Sequence, residues 1–131
     1  VTRQPLAIVL RAFVALVVAV PFVLAVGCGQ AAPKATPEQL AAGEKVFMTT
    51  CATCHGKDGH GLPKLGKDLH ANPFIKEKSD PELLDYVKVG RLAGDPLNTT
   101  GVAMPPKGGN PALTDTDITN VIAFIRANYQ G

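Results

Sequence analysis

The chain has 131 residues, with 13 Lys and Arg against 11 Asp and Glu, for a net charge of +2. That length holds one domain and little more. A balance so close to neutral, with no basic stripe carrying interleaved aromatic residues, excludes a nucleic-acid-binding protein.

The first 30 residues stand apart in composition. Arg3 and Arg11 precede an uncharged run from Ala12 to Gly29 rich in Ala, Val, Leu and Phe. A basic start, an apolar run and small residues at its end predict a signal peptide or membrane anchor over residues 1–27. The run closes Leu24-Ala25-Val26-Gly27-Cys28, which resembles a bacterial lipobox with Cys28 as the lipidated residue. Ala25 holds the position where that pattern has Leu, and Leu24 lies one earlier. Three fates suit the segment: a lipoprotein, a retained helix that Pro21 would kink, or a simple cleaved signal. The first two tether the chain to the outer, periplasmic or extracytoplasmic, face of the bacterial cytoplasmic membrane, with lipid as a partner. Cleavage removes Arg3 and Arg11 and leaves basic and acidic residues balanced. Residues 28–36 include Ala-Ala-Pro-Lys-Ala-Thr, a short tether with no means of building a core. The folded domain is expected over 37–131. Without a large cofactor, a core of that size is marginal.

A first helix is expected over about 37–50, with Thr36 as cap and Pro37 at the first helical position. Leu40, Gly43, Val46 and Phe47 fall on one face at helical spacing.

That helix leads into Cys51-Ala52-Thr53-Cys54-His55. The spacing C-x-x-C-H is the attachment signature of a c-type haem. Two thiols so spaced can add across both vinyl groups of one porphyrin, with His55 as an axial ligand of the iron. A thioredoxin-like pair would need a βαβ pattern that the chain lacks. A structural zinc site needs four ligands, and these three are too crowded to be three good tetrahedral ones. Haem and lipid account for all three cysteines, with no disulfide.

His60, in the turn Asp58-Gly59-His60-Gly61, and His70, after Leu69, are both expected at the surface, His70 near a propionate or in solvent. A second helix is expected over about 81–89, capped by Ser79 or Asp80 and ended by Gly90, with Leu83, Leu84 and Val87 inward. A third is expected over about 115–128, with Thr114 as cap and Asp117 in a capping-box position. Its inner stripe is Ile118, Val121, Ile122 and Ile125, with Phe124 at the flank. No segment alternates as a strand does, so the fold class is all-α. Lys57, Lys64, Lys67 and Lys107 lie close in sequence to the haem-binding loops, where they would steer an acidic partner.

The motif at 51–55 with Gly56, then Gly66-Lys67-Asp68-Leu69, Ala103-Met104-Pro105-Pro106 and the last helix together resemble a class I cytochrome c domain. The resemblance implies the cytochrome c fold, in which three main helices and long loops wrap one covalent haem c. It implies Met104 as the second axial ligand; Met48, His60 and His70 are its rivals. Thioether ligation raises the potential relative to a second His. It implies that Gly43 and Phe47 cross Val121 and Phe124, and it offers Arg91 and Asn98 as partners of a propionate. A main-chain carbonyl should orient His55. The family often draws it from a Pro where this chain has Lys67, so Lys67 and Pro63 both stand as sources.

The stretch from Thr99 to Pro111 also resembles the monohaem lipoprotein subunits of bacterial alternative complex III. The expected function is therefore single-electron transfer in a respiratory or photosynthetic chain, as a subunit of a quinol-oxidising membrane complex with redox proteins as partners. Alternatives are a free membrane-anchored carrier to an oxidase, a haem enzyme or gas sensor in which Met104 leaves the iron, and a structural subunit. No general acid, base or nucleophile stands out, so no catalytic residue is expected.

Overall fold

Thr36 begins the fold by closing a reciprocal cap. Its side chain accepts from the Gln39 main-chain N–H, and the Gln39 side chain accepts from the Thr36 N–H. Two of the donors that a helix start leaves unpaired are thereby satisfied. The computed structural model describes residues 34–131. The expectations for residues 1–27, for lipidation of Cys28 and for the tether as far as residue 33 lie outside the described residues.

From this cap runs α1 (Pro37–Val46), followed by a π-helical turn at Phe47–Cys51 and by α2 (Ala52–His55). A single α-helix was expected to reach Thr50; the wider turn replaces its last part. Next come α3 (Pro73–Glu77), α4 (Asp80–Val89), a short 3-10 turn at Pro106–Gly109 and α5 (Asp115–Tyr129). The all-α expectation holds among the described residues, where the only extended pairing is an isolated antiparallel bridge between Arg91 and Met104. No helix among them is long and apolar enough to cross a membrane.

The core is built where α1 crosses α5. A Cβ at Gly43 would overlap the Asn120 carbonyl and lie 2.9 Å from Phe124 Cβ. Only glycine lets the two backbones come this close. Phe47 is fully buried one turn on, with its ring 5.4 Å from those of Phe124 and Tyr129. Tilted aromatic contacts of this kind add to the area they bury. Phe124 is core rather than flank, and Tyr129 extends α5 one residue beyond the expected end.

α4 begins at Ser79, whose N–H and hydroxyl both donate to Glu82. Leu83 is buried, with Leu84 and Val87 packed beside the core. Arg126 of α5 ties these pieces together. Its guanidinium donates to the Ile75 carbonyl (3.0 Å), the Lys78 carbonyl (2.5 Å) and the Asp80 carboxylate (2.6 Å). It thus closes the carbonyl end of α3 and holds the start of α4.

Candidate haem cleft

The cysteines sit where the π turn hands over to α2. Both are half-buried and neither is in a disulfide. Burial pushes the Cys51 thiol up to about 11, with the neighbouring Cys54 adding to the shift. The thiol is therefore protonated at neutral pH. That does not suit a thioredoxin-like nucleophile, which needs a lowered pKa.

Beyond the motif the chain doubles back against it. The Gly61 N–H donates to the His55 carbonyl (2.7 Å) and the Leu62 N–H to the Cys54 carbonyl (3.0 Å). A Cβ at Gly66 would overlap the Cys54 carbonyl and lie 3.1 Å from the His55 nitrogen. This return brings Lys67 beneath the imidazole. His55 Nδ1 lies 2.8 Å from the Lys67 carbonyl oxygen. A carbonyl can only accept, so Nδ1 carries the proton and Nε2 keeps its lone pair. Of the two candidates, Lys67 supplies the carbonyl and Pro63 does not.

Met104 is placed by the bridge. Arg91 N–H donates to the Met104 carbonyl (2.8 Å) and Met104 N–H to the Arg91 carbonyl (2.9 Å). At Gly90, which has φ +75°, a Cβ would overlap the Met104 carbonyl, so α4 has to end in glycine here. The Arg91 guanidinium lies 4.7 Å from the Phe74 ring centroid and 4.9 Å from that of Tyr86, contacts that favour a cation over an aromatic face. It also donates to the Leu97 carbonyl (3.2 Å). Lys67 Nζ donates to that same carbonyl (2.9 Å). One oxygen thus joins the segment bearing the His55 acceptor to the loop that leads to Met104.

Asn98 organises this loop from within. Its Oδ1 accepts from the Thr100 N–H, the Thr100 hydroxyl and the Gly101 N–H. Its Nδ2 donates to the Leu92 and Val102 carbonyls. Arg91 and Asn98, expected as propionate partners, are thus already bonded within the loop, although both line the cleft. The expected ring of steering lysines is altered too. Lys67 binds Leu97, while Lys107 Nζ donates to the Leu113 (2.7 Å) and Pro111 (3.3 Å) carbonyls. Lys57 and Lys64 are exposed.

Cys51, Cys54, His55 and Met104 all line one cleft that is open to solvent on one side. Much of the rest of its wall is apolar, with Leu69, Ile75, Leu83 and Ile122 among its members. A broad apolar slot with two thiols, one imidazole and one thioether on its walls fits a covalently held porphyrin. Met48, His60 and His70 are not among the lining residues. Met48 and His60 are exposed and His70 is half-buried elsewhere.

Residues 40–128 match the family model described as Cytochrome c. The chain belongs to the cytochrome c family. Cytochrome c-555 of Chlorobaculum thiosulfatiphilum is 33% identical over 85 residues, which are 65% of this chain and 91% of that one. The cytochrome c subunit of alcohol dehydrogenase (quinone) from Gluconobacter oxydans is 28% identical over 88 residues, 67% of this chain but 18% of that subunit. Among solved structures, cytochrome CL from Methylophaga aminisulfidivorans superposes with a TM-score of 0.56 at 28% identity, covering 73% of this chain and 57% of that one. The chain is thus an electron-transfer cytochrome c domain with one covalently bound haem c, its cysteines at the attachment motif.

Proposed function

We propose that this cytochrome is tethered at the outer face of the bacterial cytoplasmic membrane and passes single electrons in a respiratory or photosynthetic chain, as a subunit of a quinol-oxidising complex. Cys51 and Cys54 would form the thioethers, His55 would ligate the iron through Nε2, and Met104 would ligate through sulfur. The observation that carries this assignment is the cleft itself, whose walls hold these four residues together.

Bound haem supplies the one-electron chemistry between Fe(III) and Fe(II). The chain supplies position. The Lys67 carbonyl holds His55 in one tautomer, and the bridge to Arg91 fixes the Met104 backbone. The His55 ring and the Met104 backbone are therefore positioned by the chain itself, an arrangement that would keep rearrangement small on electron transfer. The largely apolar walls suit a porphyrin ring, and a thioether ligand would favour the ferrous state.

The lipobox-like run ending at Cys28 supports the tether. Similarity to the cytochrome subunits of a quinone-linked dehydrogenase and of a cbb3-type oxidase supports a place within a redox complex, and the Thr99–Pro111 stretch is what favours a quinol-oxidising one. A second reading, a free membrane-anchored carrier to an oxidase, is favoured by the match to nearly the whole of the small cytochrome c-555. Purification of the native protein from solubilised membranes separates the two. Co-purification with quinol-oxidising subunits supports the complex. Recovery of the cytochrome alone supports the carrier. Recovery of wild-type protein in the soluble fraction would contradict the tether in both.

A further inference from the structure

On the far side of the motif loop, outside the cleft, His60, Asp68 and His70 converge. Each can bring one ligand atom to within 4.8 Å of the others. We propose that these three residues form a surface site for a divalent transition-metal ion of the kind that prefers imidazole, such as copper(II) or zinc(II).

The scaffold comes first. His60 and His70 lie on two segments joined by the Leu69 N–H bond to the Gly59 carbonyl (2.8 Å). The second segment is held in turn by Ala71 N–H to the Tyr129 carbonyl (2.7 Å) and by the Asn72 side chain to the Asp68 carbonyl (2.8 Å). Tyr129 packs its ring 4.7 Å from that of His70. At Gly59, with φ +78°, a Cβ would lie 2.8 Å from the Tyr129 ring, so the turn carrying His60 can sit this close only with glycine there. The backbone positions of the three ligands are therefore set before any ion arrives.

Ligand chemistry comes second. His60 Nδ1 and Asp68 Oδ2 are 3.1 Å apart. Two ligand atoms at about 2.0–2.2 Å from one metal, at angles between square and tetrahedral, are separated by roughly 2.9–3.5 Å. The observed separation falls within that range. His70 Nε2 lies 2.8 Å from the Asp58 carbonyl oxygen. That oxygen only accepts, so Nε2 carries the proton and Nδ1 is the nitrogen with a lone pair. Metal-binding histidines are commonly oriented through such a bond to a carbonyl. The Asp68 carboxylate is held from behind by the His70 N–H (2.7 Å). Imidazole, imidazole and carboxylate form a donor set suited to copper(II) or zinc(II), with water completing the shell.

One feature has to change on binding. The two imidazoles are stacked, with centroids 4.0 Å apart and planes 10° from parallel. In-plane lone pairs on parallel rings cannot meet at one ion. His60 is the exposed member, so its ring turns while His70 stays against Tyr129.

The test uses the untagged, haem-loaded full chain, stripped with chelator and titrated with copper(II) under electron paramagnetic resonance. The site predicts one ion per chain with hyperfine structure from two imidazole nitrogens. His60→Gln and Asp68→Asn should each weaken binding roughly ten-fold or more, while the haem spectrum and melting temperature hold steady. Because His60 and Asp68 are exposed, these variants fold even if His70→Ala does not. A titration with no stoichiometric ion, or equal binding by wild type and both variants, would overturn the proposal.

Discussion

His55 Nδ1 donates to the main-chain carbonyl of Lys67 at 2.8 Å, while the ammonium of Lys67 donates to the Leu97 carbonyl at 2.9 Å. The same residue therefore orients one proposed axial ligand with its backbone and braces the loop of the other with its side chain. Replacing Lys67 by Met separates the two functions, because the carbonyl survives and the brace does not. The expected result is unchanged His55 ligation with a loosened Met104 loop. Imidazole should bind the ferric variant faster than wild type in a stopped-flow experiment, and stability should fall by about 0.5–1.5 kcal/mol. Identical imidazole kinetics would mean that the brace has no effect on the loop.

Gly43 should tolerate no side chain. Even Gly43→Ala places a methyl against the Asn120 carbonyl and 2.9 Å from Phe124 Cβ. Its normal preference for alanine in a helix is small beside the overpacking, which should cost about 1–3 kcal/mol. Denaturant unfolding followed through the helix signal would measure it, and a stabilised variant would show that α1 and α5 do not cross this way.

Arg126 makes three bonds whose partners come from α3, the residue after it and α4. Arg126→Met keeps much of the stem and removes all three, leaving part-buried carbonyls of Ile75 and Lys78 without a donor. The expected loss is about 2 kcal/mol, near the middle of the range for hydrogen bonds to a charged group. For a domain of this size that corresponds to a fall in melting temperature of roughly 8–16 °C.

These bonds also mark the border of what the sequence discloses. The caps at Thr36, Ser79 and Thr114 are local, each closed by a residue three positions on, and the helices they open begin where expected or within a residue. The attachment motif is equally legible, since its chemistry is written in the residue types, whereas Met104 is singled out by the family resemblance and is found lining the same cleft. α3 is only five residues long, with too little periodicity to register, although Asn72-Pro73 is a helix-start signal. The Lys67 acceptor is a backbone atom and leaves no side-chain signature. Convergence of Lys67 and Arg91 on Leu97, or of Arg126 on two distant carbonyls, depends on segments that meet only in the folded chain.

Acid should weaken the start of α4. The Glu82 carboxylate accepts from the Ser79 N–H, the Ser79 hydroxyl and the Lys78 ammonium, and these hold its pKa down at about 2, against an ordinary 4.5. A depressed carboxylate contributes stability above its unfolded pKa and loses it as pH falls through the folded one. The stability difference between wild type and Glu82→Gln should be constant above about pH 5 and shrink steadily between about pH 4.5 and 2. A difference independent of pH across that window would show that the carboxylate charge has no part in the cap.

In the proposed centre His55 and Met104 share one iron and Met104 stays bound. Near-infrared magnetic circular dichroism of the ferric full-length protein tests it most directly, because it distinguishes thioether–imidazole from bis-imidazole ligation and low-spin from high-spin iron. The wild type should show a low-spin methionine–histidine signature that disappears in Met104→Ala. A bis-histidine signature, a high-spin wild type, or a signature unchanged by Met104→Ala would contradict it.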